Sequence, residues 1–521
     1  MPTLNWIGKE KVVSHHQDVP YRVLEHKYGF TADKGEQTEP TNSGNKIIHG
    51  DNLEALKSLL PEYEGKVKCI YIDPPYNTGN ESWVYNDNVN HPKIKKWLGE
   101  VVGKDGEDLT RHDKWLCMMY PRLKLLHKLL ADDGAIFISI DDNEQANLKL
   151  MCDEIFGISN HISNFIWQKR KGGGNDSFFI ANDHEYIVCY VKSKKNQTEK
   201  WRVPYEEDYL KRYNKEDENG RFYWDTLSRP GLNNPIIYDV ECPDGTIIKD
   251  GTWQVSVNTF EKLEKSGEIN FIRNKNDAWT VVRKVRIPVG KVFRSILNSV
   301  SNKDAADEME SILSSKKAFS TPKPEHLIRS IVSLSSDKDS IILDSFAGSG
   351  TTAHAVLNLN KQNGGNRKFI LVEMEDYAND ITAERVKRVS KGYGTGAKAV
   401  AGTGGAFDFY ELGLPLFDEN QNLNEKVGLA KIREYIWFSE TRTSFEEPNK
   451  EPYFLGKKDE SAYYFIYEKD RLTTLDFDAL ELIKTKGEQY VIYADNCLLP
   501  KEFMAKKNII FKKIPRDITR F

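Results

Sequence analysis

The sequence predicts an α/β protein of several domains, and three observations support that prediction. The chain has 521 residues, enough for about two to four domains of ordinary size. Short apolar runs alternate with helical stretches, which is the pattern of strands and helices packed in layers. Hydrophobic residues make up 39% and charged residues 29%, as in soluble globular proteins, and no apolar run reaches the length of a membrane span. A cytoplasmic protein is expected.

Two sets of strands and helices, far apart in the sequence, are predicted to share one sheet. Each predicted strand is a short apolar run, and the first is closed by two prolines that cannot continue a ladder. The predicted elements are a strand at 67–72, a helix at 123–130, a strand at 135–140, a strand at 341–343, a helix at 351–359 and a strand at 369–372.

A glycine loop follows the predicted strand at 341–343. Gly348, Gly350 and Ala353 match the G-x-G-x-x-G/A pattern, which lets a ligand approach the backbone at the start of a helix. Glu373 ends the next strand, 23 residues after Gly350, close to the ~20 at which an acidic residue meets ribose hydroxyls. The pattern fits a nicotinamide cofactor or S-adenosylmethionine. A plain glycine turn beside a solvated glutamate is the alternative.

The sequence Asp73-Pro74-Pro75-Tyr76 directly follows the strand at 67–72 and suits methylation of an aromatic amine. Such an amine is a poor nucleophile because its lone pair is delocalised into the ring. A carboxylate and a backbone carbonyl that accept its two N–H groups aim the lone pair at an electrophilic methyl group. Pro75 keeps Pro74 extended, and Tyr76 offers a face for a planar base. The alternative is a turn capped by Asp73, with a core tyrosine.

These motifs resemble those of a known family. DPPYNTGN (73–80), followed far downstream by DSFAGSGTT (344–352), is similar to the amino-methyltransferases of DNA, and the motif order is that of their beta class. IIHGDNLEALKSLL (47–60), TPKPEHLI (321–328) and KKIPRDITRF (512–521) are similar to the modification (Mod) subunit of Type III restriction-modification systems. The resemblance implies a Rossmann-like S-adenosylmethionine-dependent methyltransferase sheet with an inserted target-recognition domain. It also implies methyl transfer to N6 of an adenine flipped out of double-stranded DNA.

The resemblance assigns roles to individual residues. Asp73 and the Pro74 carbonyl would hold the target amine, with Pro75 in the same turn, and Tyr76 would stack on the base. The residues assigned to S-adenosyl-L-methionine are Asp51, Lys323, Pro324, Asp344, Phe346, Gly348, Gly350, Thr351 and Glu373. Three of these have ordinary alternatives: Asp51 as a helix cap, Lys323 as an exposed loop lysine and Asp344 as a strand end.

The stretch from 160 to 320 differs in character and is the expected site of DNA recognition. The net charge of the chain is −4, so attraction to DNA has to come from a local basic surface. Two clusters are candidates for phosphate contacts, with a solvated face as the alternative. The predicted DNA-binding residues are Lys169, Arg170, Lys171, Arg283, Lys284 and Arg286.

Four segments follow from these assignments. They are an N-terminal catalytic half at 1–159, the target-recognition region at 160–320, a cofactor-binding half at 321–411 and a small C-terminal α/β domain at 412–521. The glycine-rich stretch at 394–405 is predicted to end the catalytic sheet.

The C-terminal segment carries the apolar cluster 435–438, which is either an interface or a helix buried in its own domain. The family implies a homodimer and a restriction (Res) subunit as partners. Six cysteines form no CxxC pair, and the histidines show no metal-ligand spacing, so no metal is predicted.

Three other functions stay open. The same chemistry on cytosine N4 is disfavoured only by comparison with the family, because enzymes that methylate cytosine N4 more often carry a serine at the position of Asp73. A nicotinamide oxidoreductase needs a group for hydride chemistry beside the glycine loop, and none is evident. A non-catalytic DNA-binding assembly subunit would tolerate loss of Asp73.

Overall fold

The computed structural model describes residues 3–78, 96, 111–172, 178–203, 205, 207–228, 231, 234–448 and 451–521. Gly79 and Asn80, the last two residues of the DPPYNTGN motif, lie outside this part of the chain. The chain divides into two compact units. The first, called the sheet unit, comprises the residues up to Lys200 and those from Arg294 onward, and the second, called the inserted unit, comprises Trp201–Phe293.

The strands are numbered in chain order through the described residues. They are β1 (Arg22–Thr31), β2 (Gly35–Gln37), β3 (Lys46–His49), β4 (Val67–Ile72), β5 (Leu130–Ile140), β6 (His161–Gln168), β7 (His184–Val191), β8 (Lys215–Asp217), β9 (Gly220–Thr226), β10 (Ile236–Glu241), β11 (Ile247–Trp253), β12 (Ile269–Arg273), β13 (Trp279–Arg286), β14 (Ile296–Leu297), β15 (Ile341–Asp344), β16 (Lys368–Glu373), β17 (Gly392–Tyr393), β18 (Val400–Ala401), β19 (Ala406–Pro415), β20 (Phe454–Lys458), β21 (Ser461–Phe465), β22 (Thr474–Leu475), β23 (Gln489–Ala494), β24 (Asn496–Cys497) and β25 (Ile509–Lys513).

The α-helices are numbered in the same way. They are α1 (Lys9–Val12), α2 (His15–Asp18), α3 (Asn52–Tyr63), α4 (Arg111–Leu129), α5 (Gln145–Cys152), α6 (Glu207–Leu210), α7 (Val257–Lys265), α8 (Asn302–Leu313), α9 (Glu325–Ser335), α10 (Thr351–Asn363), α11 (Glu384–Lys391), α12 (Leu429–Thr441), α13 (Phe477–Leu480) and α14 (Lys501–Lys506). Single π-helical turns lie at Asp153–Gly157 and Asn379–Ala383.

The sheet unit is organised around one large, mostly parallel sheet. Its strand order is β14-β6-β7-β5-β4-β15-β16-β3-β19-β1-β2, and all pairings from β5 to β19 are parallel. The two predicted strand sets meet directly, because β4 pairs with β15 through Leu343 and Ile70. The predictions of an α/β fold and of a shared sheet are therefore confirmed.

Apolar side chains bury the centre of this sheet on both faces, as parallel sheets require. β4 and β16 are runs of almost wholly buried residues, and α3, α4, α9 and α10 contribute further apolar side chains to the core. Within the described residues, no helix combines the length and the apolar character needed to cross a membrane.

The sheet extends further along the chain than the sequence indicates. β19 lies beyond the glycine-rich stretch at 394–405 and pairs with both β3 and β1, so the prediction that this stretch ends the sheet is wrong. At the other edge, β6 and β7 lie in the predicted recognition segment but pair in the large sheet. The functional boundaries proposed from the sequence stay predictions.

The inserted unit has its own sheets and its own core. Strands β12-β13-β9-β8 form one antiparallel sheet, and β10 and β11 form a hairpin. Backbone hydrogen bonds join Val203 and Lys291 in both directions, at 3.0 and 2.9 Å, and so bring the two ends of the unit together. Its buried apolar core consists of Leu227, Val240, Trp253, Phe260, Ile269 and Val281.

The C-terminal part contains a four-stranded sheet with the order β20-β21-β23-β25. The cluster 435–438 lies in α12 and is buried, with Tyr435 stacked on Phe521 at a centroid distance of 4.6 Å. The structure therefore shows that this cluster is buried within the chain, which is the second of the two alternatives predicted for it.

Candidate active site

Four acidic residues follow the carboxyl ends of four neighbouring parallel strands. Asp73 follows β4, Asp344 ends β15, Glu373 ends β16, and Asp51 follows β3 by two residues. These strands are adjacent in the order β4-β15-β16-β3. Because parallel strands end at the same edge, ligands of such sheets bind there, and the predicted catalytic and cofactor residues are brought to one edge.

The glycine loop between β15 and α10 has the close packing that its glycines predict. Gly350 has a φ of 78°, in the left-handed region. A Cβ added at Gly350 would lie 2.9 Å from the carbonyl oxygen of Thr382, so no other residue fits without displacing backbone. Thr382, in the π-helical turn, also donates its hydroxyl hydrogen to the Gly348 carbonyl. The loop is therefore held from behind by the turn that follows β16.

Two buried carboxyl groups also fix this loop by hydrogen bonds. Glu373 accepts a hydrogen bond from the Gly348 amide at 2.7 Å and from the Glu375 amide at 3.0 Å. Asp344 accepts from the Phe346 amide at 3.1 Å and from the Thr352 hydroxyl. Burial raises the pKa of Glu373 to about 8 and that of Asp344 to about 7, since a carboxylate is poorly solvated there.

The Asp-Pro-Pro-Tyr turn is pinned from α4. The indole N–H of Trp115 donates to the Pro75 carbonyl at 2.6 Å. The next residue, Asn77, has a left-handed φ of 59° and donates its side-chain amide to the Arg111 carbonyl and to the buried Glu144. These contacts set the direction of the chain as it leaves β4.

Asp73 lies in a buried group of charged side chains. Its two carboxylate oxygens are 2.9 and 2.7 Å from Nζ of Lys323, and the Tyr76 hydroxyl donates to it at 2.9 Å. The same hydroxyl is 3.0 Å from Glu185 of β7, and Lys169 donates to the other Glu185 oxygen at 3.0 Å. Burial alone would lower the pKa of Lys323, but the charges of Asp73 and Glu185 raise it above its ordinary value.

One narrow cavity connects the Asp73 turn to the glycine loop. Predicted catalytic and predicted cofactor-binding residues line it together, with Phe319 and Thr321 from the preceding segment. The predicted residues that line this cavity are Asp73, Lys323, Asp344, Phe346, Gly348 and Thr351.

The remaining predicted cofactor residues lie close to this edge. Asp51 is the N-cap of α3, where its carboxylate accepts from the amides of Leu53 and Glu54 at 2.9 and 3.2 Å. The alternative prediction, a helix cap, is therefore confirmed for Asp51. Lys323 is buried, with 7% of its surface accessible, so the alternative prediction of an exposed loop lysine is wrong. Pro324 is the N-cap residue of α9.

The predicted DNA-binding residues separate into different settings. Lys169 is bonded to Glu185 in the buried group, and Lys171 is bonded to the Ser299 carbonyl at 2.9 Å. In the inserted unit, Lys284 and Arg286 both bind Asp217, at 2.7 and 2.6 Å, and Arg286 also binds Glu268. Acidic side chains of the same unit thus already engage Lys284 and Arg286. Contacts of these two residues with DNA stay predictions, and so do those of Arg170 and Arg283.

Sequence reasoning missed three residues that shape the site: Glu185, Trp115 and Arg385. Arg385 of α11 is fully buried and donates to the hydroxyls of Ser349 and Thr351 at 3.0 and 2.8 Å. A charged residue inside a strongly apolar segment, such as Glu185 in HEYIVCYV, was the available signal. Its partner could not be inferred without the strand order.

The fold and site define an α/β protein of the Rossmann-like class, with a ligand edge formed by a glycine loop and an acidic Pro-Pro turn. A family model described as a DNA methylase matches residues 67–384. This match covers more than half of the chain, and the protein therefore belongs to that family of DNA methylases.

Several curated proteins are similar over most of the chain. The StyLTI Mod subunit of a Type III restriction-modification enzyme, from Salmonella typhimurium, is 35% identical over 68% of this chain and 58% of its own length. The EcoPI Mod subunit from Escherichia phage P1 is 32% identical over 75% of this chain and 68% of its own. The EcoP15I Mod subunit from Escherichia coli is 31% identical over 75% and 69%. The chain thus spans between just over half and about two thirds of these relatives.

Proposed function

We propose that this protein is a site-specific DNA methyltransferase that transfers a methyl group from S-adenosyl-L-methionine to N6 of an adenine flipped out of double-stranded DNA. We propose further that it acts as the modification subunit of a Type III restriction-modification system, because relatives at 31 to 35% identity carry that name. The observation that carries the proposal is the cavity that Asp73 and the glycine loop line together.

The residues on the cofactor side fit S-adenosyl-L-methionine. Gly350 lets the loop pack against Thr382, where a Cβ would collide, and Phe346 offers an apolar face in the cavity beside the loop. Glu373 is held at the end of β16 by the Gly348 and Glu375 amides, and we assign its carboxyl group to the ribose hydroxyls. When bound, this cofactor supplies an electrophilic methyl group on a sulfonium centre.

On the substrate side, the chain would act by positioning and hydrogen bonding. The Asp73 carboxylate and the Pro74 carbonyl would accept the two N–H groups of the target amine, while Tyr76 would stack on the base. Trp115 fixes the turn that carries these groups through the Pro75 carbonyl. An ionised Asp73 also stabilises the positive charge that develops on the amine as the methyl group arrives.

The segment at 160–320, which includes the inserted unit, is proposed to read the DNA sequence. Arg170, Lys171 and Arg283 are the candidates for phosphate contacts, since within the described residues no ion pair of 4.0 Å or less holds their side chains. A homodimer, a Res subunit as partner and a cytoplasmic location complete the proposal, as the family resemblance of the sequence motifs implies.

Substitution of the central carboxylate tests the proposal. We expect Asp73→Ala to lower the single-turnover rate of methyl transfer by about 100-fold or more, because the amine loses its acceptor. Binding of the cofactor and of DNA should change by less than about threefold, since neither rests mainly on Asp73. Tritiated methyl incorporation into amplified, unmethylated genomic DNA measures the first, and titration of each ligand measures the second.

Methylation-sensitive long-read sequencing of DNA exposed to the active protein then identifies the product. N6-methyladenine in one sequence context supports the proposal. N4-methylcytosine would show that the substrate of this site is cytosine instead of adenine. Full activity of Asp73→Ala would refute the role of the turn.

A further inference from the structure

Lys323 occupies both places that the proposed substrate needs. Its Nζ lies 2.9 and 2.7 Å from the two Asp73 oxygens, where the target amine would donate. The same Nζ lies over the ring of Tyr76, 5.1 Å from its centroid, and this is the ring on which the base is proposed to stack. Lys323 therefore has to leave Asp73 before a base can enter.

Glu185 is placed to take the lysine over. Its Oε2 lies 3.7 Å from Nζ of Lys323, so a shift of about 1 Å forms a direct hydrogen bond. Glu185 is itself held in place by Nζ of Lys169 at 3.0 Å. Its Oε2 also lies 3.0 Å from the Tyr76 hydroxyl, whose single hydrogen lies between Asp73 and Glu185 and can be donated to either. It is buried, with 7% of its surface accessible.

The buried group stays neutral during such a shift. Asp73 and Glu185 provide two negative charges, and Lys323 and Lys169 provide two positive ones. Moving Lys323 between the two carboxylates keeps the net charge of the group at zero. Asp73 gives up its direct ion pair, and the N–H of the incoming amine replaces the hydrogen bonds that it loses. The aromatic ring of Trp167, with its centroid 5.9 Å from Nζ, also faces the lysine on this side.

We propose that Glu185 is a positioning residue that receives Lys323 from Asp73 when the target base enters, and so frees Asp73 to accept the amine. The step exchanges an ion pair and breaks no covalent bond, and no proton is transferred. This inference rests on the proposed function and specifies how its catalytic carboxylate becomes available.

The first test removes the receiving charge. In Glu185→Gln, Lys323 should stay on Asp73, so the single-turnover rate of methyl transfer should fall by about 10- to 100-fold. Glu185→Asp keeps the charge and should recover part of the rate. The dissociation constant of S-adenosyl-L-methionine, measured by calorimetry on the full chain, should change by less than about threefold. Asp132→Asn, an exposed carboxylate on β5 that pairs with Lys192, is the matched control and should keep the wild-type rate.

The second test adds Lys323→Met to Glu185→Gln. Without the lysine, Asp73 is no longer blocked, but it also loses the charge that lowers its pKa against the effect of burial. The double variant should therefore be faster than Glu185→Gln at high pH, and its rate should rise with pH as Asp73, whose pKa burial raises, ionises. The titratable groups around Asp73 are Lys323, Glu185, Tyr76, Tyr71 and Asp344.

The last three of these groups are unchanged in every variant, so comparison with Glu185→Gln isolates the effect of Lys323. Wild-type rate in Glu185→Gln, or a double variant slower than Glu185→Gln at every pH, overturns the exchange while the wild type still methylates DNA. A rate loss explained entirely by weaker cofactor binding also overturns it. If the wild-type chain methylates no DNA, the proposed function fails, and this inference fails with it.

Discussion

Glu373 is buried, and its carboxyl group holds the glycine loop at the edge of the sheet. Its oxygens hold the Gly348 and Glu375 amides, which is how one side chain fixes the glycine loop. Burial raises its pKa to about 8, so a large fraction carries a proton at neutral pH. The neighbouring Asp344 is shifted in the same direction, to about 7.

A stability prediction follows from the Glu373 pKa. The folded protein keeps a proton that the unfolded chain releases above the ordinary pKa of 4.5, so the free energy of unfolding should fall as pH rises from there through about 8. Glu373→Gln has no proton to lose at this position. Between about pH 6 and pH 8.5 the wild type should lose on the order of 2 kcal/mol relative to this variant. Chemical denaturation at both pH values measures it.

The exposed Glu62, which pairs with Lys46, provides the control as Glu62→Gln. Its pH dependence should match that of the wild type. Equal pH dependence in Glu373→Gln and the wild type would show that Glu373 is ionised in the folded protein, contrary to the prediction.

Single residues were predictable from the sequence where a local pattern fixes them. Asp73, Gly350 and Glu373 each directly follow or end a strand, and the structure brings them to one edge. Lys323 was expected on the cofactor side, yet it binds Asp73 across 250 positions of sequence. That contact depends on the order of strands in the sheet, which no local pattern encodes.

At the level of elements, α11 and the π-helical turn before it support the glycine loop. Arg385 reaches the hydroxyls of Ser349 and Thr351 and pairs with Glu308 of α8 at 3.1 Å. Thr382 bonds to the Gly348 carbonyl. The loop is thus positioned by an element more than 30 residues downstream, which explains why the loop sequence alone understates what holds it.

Arg385→Met tests this support. The substitution removes a fully buried guanidinium that pairs with the partly exposed Glu308 and donates twice to the loop, so the free energy of unfolding should fall by about 3 kcal/mol. Cofactor affinity should fall by about tenfold or more, since the loop loses its fixed shape. Arg388→Met, on the same helix but 40% exposed and paired with Glu384, should cost about 1 kcal/mol or less.

Denaturant titration and calorimetric binding of S-adenosyl-L-methionine give the two readings. If Arg385→Met and Arg388→Met behave alike in both, the buried guanidinium does not position the loop.

The central elements were predicted well, and the peripheral ones poorly, for a physical reason. β4 is a continuous apolar run that ends at two prolines, and its predicted bounds, 67–72, are those observed. β19 follows a glycine-rich stretch whose composition predicts the end of the sheet, yet β19 pairs with both β3 and β1. Strands outside the central parallel core owe their place to pairing partners distant in sequence, so their local patterns are weak.

For the whole molecule, the sequence indicated an interruption between the two halves of the sheet but not its size. The separate unit comprises Trp201–Phe293, whereas β6 and β7, also inside the predicted 160–320 segment, belong to the large sheet. The basic residues Lys284 and Arg286 engage Asp217 within the unit. Part of the positive charge of the inserted unit is therefore neutralised by ion pairs within the unit.

Replacement of residues 204–290 by a short Gly-Ser linker separates the two proposed roles. Val203 and Lys291 are already joined by backbone hydrogen bonds, so a short linker can span the gap without pulling the sheet unit apart. The shortened chain should unfold cooperatively and bind S-adenosyl-L-methionine within about threefold of the full protein. Its affinity for DNA should fall by about tenfold or more, and any residual methylation should lose its sequence context. Calorimetry, DNA titration and long-read sequencing provide the readings, and methylation in an unchanged context would place sequence recognition outside the inserted unit.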